Sequence, residues 1–179
     1  MLDALVSVAD RLIELLKYRE ERRAKLFDDL VEPVMNQLTE IHADYLRILE
    51  TLRQKLAGVT EETSAATVRD ATEYLLEARI DKEPLRRKLI ALVQQLAIAR
   101  REEPLIAFAR ACVQYLESGQ GVPGTLGTML LHEFTAGDPV TTAQRIQTDI
   151  LPSVTDNSRQ KWEDVTQAFA AARLDAAAR

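Results

Sequence analysis

The sequence predicts an all-α fold, a helical bundle of about seven helices, and three observations carry that expectation. Apolar residues recur at spacings of three and four along most of the chain, as one-sided helices require. Strict apolar–polar alternation never lasts four residues with turn signals on both sides, so strands find no support. Glycine and proline are scarce, six each in 179 residues, which argues against a loop-rich, collagenous or disordered chain.

The first stripe is Leu2, Leu5, Ala9, Leu12 and Leu16. It lapses over the charged stretch Lys17–Lys25 and resumes at Leu26, Phe27, Leu30 and Val31. Nothing in the charged stretch breaks a helix, so one helix of about thirty residues and roughly 45 Å is expected. Pro33 should end or kink it. Val34, Leu38, Ile41, Tyr45, Ile48, Leu52 and Leu56 then restart the pattern, with Gly58 as its stop. Two long N-terminal helices around Pro33 are the result.

Thr63 or Ser64 caps a third helix carrying Val68, Ala71, Leu75, Leu76 and Ile80. Asp81-Lys-Glu-Pro84 reads as the start of a fourth, with Leu85, Leu89, Leu92, Leu96 and Ala99 as its stripe. A fifth runs from Leu105 through Phe108, Ala109, Cys112, Val113 and Leu116. Residues 118–127 hold four of the six glycines and read as an interhelical break before a short apolar segment, Leu126 to Phe134. Asp138 and Pro139 open a helix towards Pro152. The last begins near Ser158, with Trp162, Val165, Phe169 and Ala172 on one face and Leu174 off it.

No period of 20–50 residues suggests a solenoid, and no heptad is sustained over four repeats. The length suits a single domain, 1–179. A subdivision into a long helical pair, 1–57, and a bundle, 58–179, is left open.

Composition narrows the functional classes. The chain has 23 basic and 28 acidic residues, a formal charge of −5, and 46% apolar residues. That balance does not favour a dedicated nucleic-acid binder. Met1–Asp10 lacks the basic start of a signal peptide, and no uncharged apolar stretch approaches the ~20 residues needed to span a bilayer. Residues 2–16 carry Asp3, Asp10 and Glu14 against Arg11 alone, the wrong charge for a membrane-surface helix. A cytoplasmic protein is expected. Arginine outnumbers lysine seventeen to six and alanine is abundant, consistent with a bacterial source.

The constellations that could carry chemistry mostly fail on spacing. Gly119-Gln-Gly121-Val-Pro-Gly124 spells the dinucleotide fingerprint, but that mechanism needs a preceding strand, and here the glycines follow a helix. His132-Glu133 continues without the second histidine of a zinc helix. His42 lacks a glutamate three residues before it, and Glu40, His42 and Asp44 spread around a helix, so His42 reads as a boundary residue. Cys112, the only cysteine, stands in an apolar helical context and reads as a buried, inert side chain. Asp149 and Glu77 are the nearest candidates for acid–base work, and both read as solvated. No metal, no cofactor and no enzymatic activity are expected.

Two basic clusters are interleaved with acids: Lys17, Arg19, Arg22, Arg23 and Lys25 on the first helix, and Arg79, Lys82, Arg86, Arg87 and Lys88 around Pro84. A solvated, salt-bridged face is the simpler reading of both. The expected function is a non-catalytic helical protein-interaction module, self-associating or one subunit of a complex. Leu5, Leu12 and Leu16 would form its contact surface, with Arg19, Arg22 and Arg23 at the rim. The alternative is nucleic-acid or phosphate-ligand binding through the Arg clusters on the first and fourth helices.

Overall fold

A computed structural model describes residues 27–99, 103–136 and 138–177. Among them every regular element is a helix, and the chain is all-α. The π-helical turn Phe27–Val31 leads into α1, Glu32–Leu56. It is followed by α2, Ser64–Ala99, and α3, Glu103–Ala136. The short α4, Pro139–Arg145, passes through a second π-helical turn, Ile146–Ile150, into α5, Leu151–Ala177.

Five α-helices thus replace the expected seven among the described residues, and the difference lies in residues read as breaks. Pro33 does not end a helix: the chain stays helical from the π turn into α1. Pro84 does not start one either; it lies inside α2, which spans 36 residues. A proline within a helix costs ~3 kcal/mol through its missing donor and its clash with the preceding turn. Residues on either side offset that cost, with Ala71 and Leu75 buried before it and Arg86 and Leu89 buried after it. The glycine-rich stretch 118–127 is likewise helical, inside α3. Each of its glycines disfavours a helix by about 1 kcal/mol relative to alanine, so the local preference of these residues does not decide the conformation there. The helix expected from Ser158 begins at Leu151 and continues the π-helical turn before it, so Pro152 lies inside a helical run.

The helices divide between two compact units. The described residues of the first are 27–41, 84–99, 103–116 and 161–177; those of the second are 42–83, 117–136 and 138–160. In the first, Phe27, Leu30, Val31, Val34, Leu38 and Ile41 are buried together with Leu89, Val93, Phe108, Cys112, Leu116 and Val165. Phe169 is flanked by two rings, 5.3 Å from Phe27 and 5.8 Å from Phe108 between centroids, and Tyr115 meets Trp162 at 5.6 Å. The expected face of the last helix is therefore correct: Val165 and Ala172 are buried, and Trp162 and Phe169 make ring contacts.

In the second unit Tyr45, Ile48, Leu49, Leu52 and Leu56 of α1 are buried, as are Val68, Ala71 and Leu75 of α2. Every member of the stripe expected from Val34 to Leu56 is inside. Leu76 is not: it is exposed, because its neighbour Leu75 takes the inward position and successive helical residues diverge by about 100°. Lys55 clasps α2 from α1, with Nζ 2.5 Å from Asp70 and 5.5 Å from the centre of the Tyr74 ring. α1 stops at Leu56 before Gly58, and α2 opens at Ser64, where the Thr63 carbonyl accepts from the Thr67 N–H. Asp138 caps α4 as expected, its carboxylate accepting from the Thr141 N–H at 2.8 Å.

Candidate functional site

The second unit carries a groove of about 400 Å³ between α1 and the start of α5. On one wall stand Leu46, Leu49, Glu50 and Arg53. Their spacing of three, one and three places them on one face of α1. The other wall is Gln147, Leu151, Pro152, Thr155, Asp156 and Arg159, again one face of a helical run. Gln147 reaches this wall from the π-helical turn, four residues before Leu151.

The floor is apolar. Leu49 and Leu151 are buried and Leu46 is half-buried. The rim is charged and balanced, with Glu50 and Asp156 against Arg53 and Arg159. On α1 the charges satisfy each other: Arg53 donates Nε and one terminal nitrogen to Glu50 at 2.9 and 2.8 Å, and Gln54 Nε2 donates to the same carboxylate at 2.9 Å. Those bonds, Arg53's first and Gln54's second, bring the Glu50 carboxyl down to about 2. On α5, neither Asp156 nor Arg159 makes an ion pair with any described residue. Arg159 does act on His42, one turn before Leu46 on α1. Burial first, and the Arg159 charge second, lower the imidazole pKa.

The sequence-derived candidates fall elsewhere. Leu5, Leu12, Leu16, Arg19, Arg22 and Arg23 lie outside the described residues, as does the whole first basic cluster. In the second cluster, Arg87 is exposed, but Arg86 corrects the expectation of a solvated face: it is 1% exposed, the largest fully buried side chain described. Its Cβ shares the inward face of α2 with Leu89 and Val93, three and seven residues on, and its long stem packs as apolar surface. Asp149 and Glu77 are exposed, His42 is half-buried and His132 is exposed. Cys112 is buried, and burial pushes its thiol pKa strongly up, away from nucleophilic thiolate. Among the described residues no three His, Cys, Asp or Glu side chains gather as a metal site, and no helix is long and apolar enough to cross a membrane.

Sequence reasoning missed the groove because its walls are about a hundred residues apart and each carries a single arginine. One local signal was present: both walls contain an acid followed three residues later by arginine, Glu50 with Arg53 and Asp156 with Arg159. Comparison with protein-family models, curated proteins and solved structures finds no match.

The arrangement can receive an apolar side chain on a leucine floor and offer it ionic partners at the rim. A mixed rim of this kind disfavours a uniformly charged ligand, since either sign alone would meet a like charge.

Proposed function

We propose that this chain is a non-catalytic helical protein-interaction module that docks a partner segment in the groove between α1 and α5. The observation that carries the reading is the groove's composition: a floor of Leu46, Leu49 and Leu151 beside an exposed acid and base, Asp156 and Arg159, that make no ion pair with any described residue. Apolar anchors inside a polar rim are the usual anatomy of helix-in-groove recognition. The phosphate-binding alternative is less well supported, because Arg86, one member of its second cluster, lies within the core.

A photoreactive residue in place of Gln147, irradiated in extract of the native host, tests the reading. The expected result is a covalent polypeptide adduct that is absent when the same residue replaces the exposed Ala66 of α2. Absence of any adduct at Gln147 overturns it.

A further inference from the structure

Leu174 is 71% exposed, the most open large apolar side chain among the described residues. Ala170, Ala171 and Ala177, its neighbours at helical spacing on α5, are exposed as well. The leucine is therefore flanked by small side chains in the turns on either side of it, which another helix surface can approach closely. Beside it Arg173 is exposed and makes no ion pair with any described residue.

A projecting leucine beside an exposed cation is complementary to a leucine-floored groove whose rim carries an exposed anion, Asp156. The exposure of Leu174 leaves it available to a second molecule. Resting on the reading of the groove as a protein-docking site, we propose that its occupant is a second copy of this chain. The Leu174 face of one copy seats over Leu46, Leu49 and Leu151 of the other, with Arg173 beside Asp156. A contact built on one leucine and one ion pair is small against the ~1,200 Å² of a standard stable interface, so the association is weak and concentration-dependent.

Sedimentation equilibrium of the full chain, from micromolar to about millimolar concentration, reads this directly. Self-association is expected for the unaltered protein. Leu174→Gln, a surface change that leaves the core intact, should weaken it by about tenfold or more. Asp156→Arg and Arg173→Asp should each weaken it several-fold, and the double variant, which restores opposite charges across the contact, should recover most of the loss. A strict monomer, association indifferent to Leu174→Gln, or charge reversals that do not rescue each other overturn the inference. If the Gln147 adduct is a different polypeptide and the chain is monomeric, the second copy is excluded while docking in the groove stands. If no adduct forms, both fall.

Discussion

Leu151 donates its backbone N–H to the carbonyl of Ile146, five residues back, immediately before Pro152. This bond closes the π-helical turn Ile146–Ile150, which ends two residues before a proline. The other π-helical turn, Phe27–Val31, ends two residues before Pro33. The coincidence has a physical reason. A proline ring presses on the carbonyl four residues earlier and offers it no hydrogen, and widening the preceding turn relieves both faults.

Replacing Pro152 by alanine restores the missing donor and removes the ring clash. Pro152→Ala should therefore stabilise the chain by about 1–3 kcal/mol, less than the full penalty for an interior proline because the π turn already relieves part of it. Urea denaturation with an unchanged slope would show it. The same substitution should alter the amide chemical shifts around Gln147, as the turn that sets its position narrows.

Phe169 links two aromatic contacts in the first unit, to Phe27 and Phe108. It is half-buried, so Phe169→Ala should cost about 2–4 kcal/mol, at or below the usual range for a core phenylalanine. Phe169→Leu, which keeps most of the volume, should cost less than half as much. A midpoint shift of equal size for the two variants would show that ring volume is not what holds this site.

The stripe Val34–Leu56 was legible because threes and fours leave one face, and a single face can be covered. Leu75 and Leu76 were less so: adjacent leucines cannot both point inward, and periodicity alone does not choose between them. Proline and glycine misled the count of helices because their effect is local, while α2 and α3 continue through Pro84 and the 118–127 glycines. Arg86 reads as surface in any window of charge, yet burial depends on which face of α2 it shares with Leu89 and Val93. The groove needed the fold itself, since the shared acid-to-arginine spacing of residues 50–53 and 156–159 does not say that the two stretches meet.

Cys112 is buried and its thiol is held in the neutral form by its apolar surroundings. A disulfide reagent should leave it unmodified in the native protein and react with one equivalent once the chain is unfolded. The reaction rate should follow unfolding of the core, rising with urea in parallel with the unfolded fraction. Rapid stoichiometric labelling without denaturant would contradict the burial.

His42 joins the groove to a measurable pH dependence. Its pKa lies below the ordinary 6.5, through burial first and the Arg159 charge second. The unfolded chain therefore binds a proton near pH 6.5 that the folded chain accepts only at lower pH. The contribution of His42 to stability is complete above that value and is lost as pH falls towards the folded pKa. Arg159→Gln removes the smaller cause, so it should raise the imidazole pKa only part of the way to 6.5. An NMR titration of the His42 ring protons in both proteins reads the difference, and a shift all the way to the ordinary value would make Arg159 the dominant cause. Added salt should move the unaltered protein in the same direction as Arg159→Gln, since it screens the charge and leaves the burial untouched.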